Sequence, residues 1–331
     1  MSTTQTSAAD WTIAVSISES PDLEVLGMFE GDDKRMLSTV LTPLVYRGAR
    51  VAYGGRIEPA AATNFTQEIS AQLAEAYRLS SKQPGSRPFI HYLRDNDARS
   101  QGEEKLLAHG LKLGSYSEIR LLRGATTAAT ILPSGSVVDV YVDDAQVGAM
   151  RKVQELMTVP RIKEIFSGPT GRDELADMRV AMVNETDARI ILGGRVSGVA
   201  GGTSGIASEA LVTLAMTKPK PLLVLGGIGG ASRDVAWMLG LINDAERVER
   251  DDSAYLDNKN IPSKDRYWAH MEKLRAFSAP YLSRLEQANV LDHARRLAVS
   301  ESYAEIGSLV VTMLNRLLPP ESAPEGQSGA A

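Results

Sequence analysis

The chain predicts an α/β fold, an open parallel sheet with helices on both faces, followed by a C-terminal helical extension. Three observations predict it. Short apolar runs rich in β-branched residues alternate with stretches whose apolar residues recur at spacings of three and four. Glycine pairs stand directly after three of the short runs, at Gly54-Gly55, Gly193-Gly194 and Gly226-Gly227. Beyond Asp244 the strand-like runs stop and charged, helical character takes over.

Taken in order, residues 11–18 (WTIAVSIS) form the first strand, and the Ser-Pro-Asp after it is a turn. From about 32 to 47, Leu37, Val40, Leu41, Leu44 and Val45 paint one helical face, and Gly48 ends that helix. Residues 50–53 return as a strand into Gly54-Gly55, closing a βαβ unit for which a right-handed crossover is expected. Ile69, Leu73 and Tyr77 mark the next helix, and residues 88–93 (PFIHYL) the next strand. Residues 118–122 and 137–142 read as strands separated by the small-residue stretch GATTAATILPSGS, to which no topology is assigned. Residues 143–157 and 173–184 read as helices, with Pro160 and Gly168-Pro169 interrupting the segment between them.

The alternation then resumes. Residues 188–192 (ARIIL) are a buried strand, followed by a glycine-rich loop and a helix over 205–216. Residues 221–225 (PLLVL) are another strand, leading through Gly226-Gly227 and Gly229-Gly230 into a helix over 232–241. This is a Rossmann-like arrangement. After a loop at 251–263, amphipathic stretches at 264–288 and 300–317 are expected to form a helical hairpin. The expected organisation is therefore a pocket-bearing α/β domain over 11–243, an extension over 244–318, and disordered ends at 1–10 and 319–331.

Composition narrows the function. The 331 residues carry a formal net charge of -5 with acidic and basic residues intermixed, which argues against a nucleic-acid partner. With no cysteine, disulfides, thiolate metal sites and a cysteine nucleophile are excluded. His91, His109, His270 and His293 lack the short spacing of a metal pair, so neither a metal nor another resident cofactor is expected. The first ten residues lack the apolar stretch of a secretory signal, and no apolar run is long enough to cross a bilayer. A cytoplasmic chain without membrane contact is expected.

The glycine pairs carry the functional signal. A glycine at the carboxyl end of a strand lets main-chain amides approach an anion without a Cβ in the way, and the following helix offers unpaired N–H groups with partial positive charge. Any single pair also suits a plain tight turn. In an open parallel sheet the carboxyl-end loops converge on one crevice, so three such turns suggest one shared phosphate or ribose pocket. Neither G-x-G-x-x-G nor G-x-x-x-x-G-K-[ST] occurs in these loops, which removes the usual support for hydride transfer and ATP hydrolysis.

The longest loop runs from Gly193 through Gly201, Gly202, Thr203, Ser204 and Gly205 to a helix bearing Glu209. Together with SISESPDL at 16–23, ARVAYGG at 49–55, DARIILGGR at 187–195 and LGGIGGASRDVA at 225–236, it resembles the SLOG superfamily, which includes DprA-like proteins and LOG phosphoribohydrolases. The resemblance is closest to prokaryotic SLOG domains of nucleotide-signalling defence systems and covers about residues 12–241. It implies a nucleotide-type small-molecule ligand. In LOG enzymes a P-G-G-x-G-T-x-x-E loop binds phosphate, and its glutamate works with the arginine of an R-x-x-M helix to cleave an N-glycosidic bond. Glu209 and Arg179, the latter followed by Met182, are similar to these. The loop here reads GGTSGIASE, with Ser204 where related loops often have proline and Ser208 where many have a second acidic residue. That departure favours binding over turnover.

Other candidates have two readings each. Arg195 is a planar fork for phosphate or a solvated charge. Arg233 and Asp234 touch ribose or phosphate or cap the helix, with capping the preferred reading for Asp234. Ser16 and Ser18 bond a ligand or close a local turn, and Tyr53 stacks on a base or simply packs. Arg56 and Thr66 flank the second turn, and His91 is read as a core residue. Three functions stay open: a sensor of a nucleotide or NAD-derived signal such as ADP-ribose or a cyclic nucleotide, an N-glycosidase using Glu209 and Arg179, or an oligomeric scaffold. In the last, Leu309, Val310, Met313 and Leu317 face either their own sheet or a second copy in a homo-oligomer.

Overall fold

The structure is a computed structural model that describes residues 11–57, 64–79, 87–167, 174–197, 204–256 and 261–318. The two ends expected to be disordered, and the Gly168-Pro169 pair, lie outside the described residues.

In chain order the first elements are β1 (Thr12–Ser18), α1 (Asp32–Tyr46), β2 (Arg50–Gly54), α2 (Phe65–Leu79), β3 (Phe89–Arg94), α3 (Asp95–Gln101) and α4 (Glu103–Leu113). Next come β4 (Ser117–Arg123), β5 (Thr126–Ser134), β6 (Val137–Val142), β7 (Ala145–Met150), α5 (Val153–Leu156), α6 (Pro160–Ser167) and α7 (Glu174–Glu185). The second glycine-rich half holds β8 (Ala188–Gly193), α8 (Gly205–Leu214), β9 (Leu222–Leu225) and α9 (Gly230–Met238). The extension holds α10 (Lys264–Met271), α11 (Ser278–Gln287), α12 (Leu291–Val299) and α13 (Tyr303–Leu317).

The strands form one sheet in the order β7-β6-β5-β4-β3-β2-β1-β8-β9. β1 to β4, β8 and β9 are parallel to their neighbours, and β5 to β7 add an antiparallel meander at one edge. The chain leaves β1 toward β2 on one side and returns to its other side as β8, so a topological switch point lies between β1 and β8. Outside the carboxyl ends of those two strands an open α/β sheet has its crevice.

Both faces of the parallel part of the sheet are buried, and the alternation along each strand sets which residue serves which face. Ile13, Val15 and Ile17 of β1, Val51 of β2 and Phe89 and Leu93 of β3 join a large cluster that also takes in α1, α2, α8 and α9. The intervening Ala14, Ala52, Ile90 and Tyr92 join a smaller cluster with Met178, Ala181 and Met182 of α7. Alanines and Gly54 on that face let α7 lie close: a Cβ on Gly54 would stand 2.7 Å from Met178 Cε.

Three expectations are corrected. Residues 143–157 are not one helix but the β6–β7 hairpin followed by the short α5. Asp143 and Asp144 adopt φ of 49° and 62°, the left-handed pair of a two-residue hairpin turn. Pro160 does not interrupt a helix; it opens α6, where its missing N–H costs nothing. The extension is not a simple hairpin: α12 lies across β9 and α13 across α1, and Leu309, Val310 and Met313 are buried in the chain's own core. Leu317 is partly buried against the same core. Helices α3, α4, α6 and α12 and strand β5 had no counterpart in the sequence reading. Among the described residues no helix is long and apolar enough to cross a membrane.

Candidate functional site

A cleft of about 270 Å³ opens at the switch point. The end of β1 from Val15 to Ser18 and Tyr53-Gly54 of β2 line one side; Met178, Arg179 and Met182 of α7 and Gly205, Ile206 and Glu209 of α8 line the other, with Arg195 at the mouth. The geometry follows from short side chains at strand ends and from a helix N-terminus aimed at the gap.

Under this cleft lies a residue that the sequence reading passed over. Arg189 of β8 is 1% exposed, and its Nη1 donates to Ser16 Oγ at 2.7 Å and to Glu209 Oε2 at 2.8 Å. Its Nε and Nη2 find no hydrogen-bond partner. Arg179 Nε stands 4.0 Å from the other oxygen, Glu209 Oε1. Burial first, and then the Arg179 cation, pull the Arg189 guanidinium below its usual pKa, while Glu209 opposes both. Glu209 therefore sits between two arginines, one buried and one on the cleft wall. Burial, with the Glu209 charge adding to it, pushes the Tyr53 phenol well above its ordinary value, so Tyr53 faces the cleft as a neutral group.

The turns differ from one another. Gly193 and Gly194 have φ of 62° and 104°, and a Cβ on Gly193 would stand 2.5 Å from Ser18 O. Gly194 N–H donates to Ser18 O at 2.9 Å and Arg195 N–H to Ser18 Oγ at 3.3 Å, so Ser18 closes the turn, and the Arg195 guanidinium pairs with Glu19 Oε2 at 2.7 Å. Gly201, Gly202 and Thr203 lie outside the described residues. Ser204 precedes α8, buried, with no partner for its hydroxyl oxygen. At the second turn, the Tyr53 ring and Thr66 Oγ1 occupy the space beside Gly55 where a Cβ would go. Arg56 leans away to Asp97, which Arg94 also holds, and Thr66 Oγ1 donates to Arg56 O at 2.9 Å.

The third turn makes no wall of this cleft. A Cβ on Gly226 or Gly227 would collide with Ala298 O or Ser300 O, so this pair serves the close approach of the segment after α12. The N-terminus of α9 already holds an anion, but it belongs to the chain: Gly230 N–H donates to Asp22 Oδ2 at 2.6 Å. Gly229 packs directly against the Asp22 side chain. Arg233 is buried and donates to Glu246 O and Gly226 O. Asp234 is not the cap of α9, being the fifth residue of a helix that begins at Gly230; it accepts from Arg250 and from Tyr267. The cradle of three turns expected from sequence thus reduces to the turns after β2 and β8.

The extension reaches the site through His270 of α10. Ser208 Oγ donates to Ser204 O at 2.9 Å, which leaves the same oxygen to accept from His270 Nε2 at 3.1 Å. His91 is a core residue, with Nε2 2.9 Å from Gly55 O and Nδ1 3.0 Å from His109 Nε2. A carbonyl only accepts, so His91 Nε2 carries its proton, its Nδ1 accepts, and His109 Nε2 donates.

Both imidazoles are neutral in the folded chain. Burial pulls His91 down to about 4, against the opposing Gly55 carbonyl and Asp97, and burial with the nearby His91 and Lys112 pulls His109 down to about 2. In the unfolded chain both titrate at about 6.5, so below that pH the unfolded state binds more protons and stability falls. The loss runs from about pH 6.5 to 4 for His91 and continues lower for His109, at up to about 1.4 kcal/mol per pH unit for each. Urea unfolding at pH 7, 6 and 5 is expected to show a shallower decline for the His91→Phe/His109→Phe double variant than for the parent; equal slopes would contradict this assignment.

A family model described as SLOG cluster2 matches residues 7–169 and 170–270. Among curated proteins and among solved structures, none matches the chain.

Proposed function

The chain belongs to the SLOG cluster2 family, and from that premise we propose that the cleft at the β1/β8 switch point binds a nucleotide or NAD-derived signal, such as ADP-ribose or a cyclic nucleotide. One observation carries the reading: three guanidinium groups, of Arg179, Arg189 and Arg195, meet two carboxylates, of Glu19 and Glu209, where a helix N-terminus points into the gap. The balance is cationic, as a phosphate requires, and one carboxylate oxygen remains to accept from ribose hydroxyls. Phosphate then lies toward Gly205 and Arg195, ribose toward Glu209, and a base against Tyr53 and Met178. His270 relays occupancy from the first turn of α8 to the extension, as a sensor module requires; action in a homo-oligomer and a place in antiphage defence are proposed here from the family resemblance alone.

Calorimetric titration of cyclic ADP-ribose isomers, ADP-ribose and cyclic nucleotides is expected to give saturable heat with one of them. Arg179→Gln is expected to weaken that affinity by roughly tenfold or more. Absence of heat with every compound at high protein concentration overturns the proposal. A second reading, N-glycosidase action, draws on Arg179 and Glu209 facing each other at 4.0 Å in the cleft. Against it, Glu209 Oε2 is already engaged by the buried Arg189. Release of free base from AMP or NAD, lost in Glu209→Gln, would favour turnover.

A further inference from the structure

The sheet has two edges, and the chain treats them differently. At one, β9 is buried along its whole length, α12 lies across it, and Tyr281 OH donates to Leu222 O at 2.9 Å. At the other lies β7, which among the described residues pairs with β6 alone. Ala145, Gln146, Val147 and Ala149 of β7 are exposed, Val147 by 49%. The strand has neither the proline nor the charge that commonly blocks an exposed edge. Its charges stand just outside it, Asp143 and Asp144 before and Arg151 and Lys152 after, all four exposed. Nearby, Glu155 accepts from the main-chain N–H groups of Arg151 and Lys152.

The segment DDAQVGAMRK is therefore antisymmetric in charge, two acids and two bases flanking six neutral residues. Antiparallel pairing with an identical strand turns the acidic end of each copy toward the basic end of the other, whereas parallel pairing would set like against like. The register agrees. Directly opposed residues share a face, so a two-fold axis between consecutive residues of a regular strand is forbidden, because those residues point to opposite faces. β7 is not regular: Gln146 opposes Tyr141 and Gly148 opposes Val140, which makes Val147 an extra, bulged residue. Gln146 and Ala149, opposite Tyr141 and Asp139, thus share one face, on which Gln146 Nε2 donates to Asp139 Oδ1 at 3.1 Å. A two-fold axis between Val147 and Gly148 then sets Gln146 against Ala149, Ala145 against Met150, Asp144 against Arg151 and Asp143 against Lys152.

We propose that β7 is a homodimer interface, pairing antiparallel with β7 of a second copy about that axis. Five strands separate β7 from β1, so each cleft lies outside the contact, and the pairing stands whether or not the cleft binds a nucleotide. A six-residue strand buries less than a standard interface, and the expected Kd is on the order of ten micromolar.

Sedimentation equilibrium of the full chain, from micromolar to near-millimolar concentration, is expected to show monomer and dimer. The Kd is expected to rise several-fold between about 0.05 and about 0.5 M salt. Arg151→Glu/Lys152→Glu is expected to raise it by roughly tenfold or more, and so is Asp143→Lys/Asp144→Lys. An equimolar mixture of the two variants is expected to dimerise again, because the reversed ends then meet opposite charge across chains. The left-handed φ of Asp143 and Asp144 suits lysine poorly, so urea unfolding checks that variant. Asp143→Asn/Asp144→Asn, which keeps the turn, is also expected to weaken the dimer. The chain has no cysteine, so Gln146→Cys mixed with Ala149→Cys is expected to give a covalent dimer on oxidation faster than either variant alone. A monomer at every concentration, or a dimer unmoved by both charge reversals, overturns the proposal, as does failure of the two folded reversal variants to combine.

Discussion

Glu209→Ala is expected to lower the unfolding free energy by about 3 kcal/mol, far more than loss of a surface ion pair, which is worth about 0–1 kcal/mol. Its partner decides the magnitude. Arg189 is 1% exposed and already has two N–H-bearing nitrogens, Nε and Nη2, without a partner, so removal of the Glu209 carboxylate leaves a buried guanidinium bonded only to Ser16 Oγ. Breaking a buried pair from one side costs about 3–5 kcal/mol, and the 17% exposure of the Glu209 side chain, which admits water, puts the value at the low end. Urea unfolding is expected to show a lower midpoint at unchanged slope. The Arg189→Met/Glu209→Leu double variant, which removes both charges, is expected to regain most of the loss while failing to bind any ribose-bearing ligand. A cost below about 1 kcal/mol for Glu209→Ala would mean that Arg189 is hydrated, and the cleft floor would need a different account. The same coupling governs any activity measurement: lost turnover in Glu209→Ala mixes chemistry with stability, and Glu209→Gln is the sounder probe.

How much of this was legible beforehand depended on burial. β1, β2, β3 and β8 lie inside the sheet, and β9 at its edge is buried all the same, so their apolar runs are short and continuous, and the alternation with helices identifies them. β5 and β7 belong to the meander, where one face meets solvent and the side chains are small; Thr126–Ser134 and Ala145–Met150 carry too little hydrophobic contrast to separate from loop or helix. The glycine turns show the same limit. Gly54 and Gly205 can be placed near one crevice from strand order alone. What covers Gly226-Gly227 cannot, because Ala298 and Ser300 arrive from seventy residues further along the chain. Asp22 likewise occupies the α9 N-terminus that the sequence offered to a phosphate: the physics of anion and helix dipole was right, and the anion came from the chain itself. Arg189 was readable and missed. A charged residue inside ARIIL, a strand buried on both faces, requires an internal partner, and a glutamate in the next helix was the available one.

Arg250→Met is expected to cost about 3–5 kcal/mol, the largest effect of any single charged side chain described. Arg250 is 3% exposed and joins three parts of the molecule. Its Nε and Nη2 each donate at 2.6 Å to the two oxygens of Asp22, on the turn after β1, and its Nη1 donates at 2.7 Å to Asp234 Oδ2 of α9. Tyr267 of α10 completes the cluster by donating to the same Asp234 oxygen at 2.5 Å. Methionine fills similar volume but strands two buried carboxylates, only partly satisfied by Gly230 N–H and Tyr267 OH. The pH dependence distinguishes this from a packing defect. Burial already raises the Asp234 carboxyl, with Arg250 the main opposing influence; without Arg250 its folded pKa rises further. A carboxyl whose folded pKa exceeds its unfolded value favours the folded state as pH falls, so the deficit of the variant relative to the parent is expected to shrink from pH 8 to pH 5. A deficit independent of pH would indicate lost packing instead. Because Asp22 follows the Ser16–Ser18 edge of the cleft by only four residues, the same substitution is expected to weaken ligand binding, and thereby to report whether the extension steadies the pocket it adjoins.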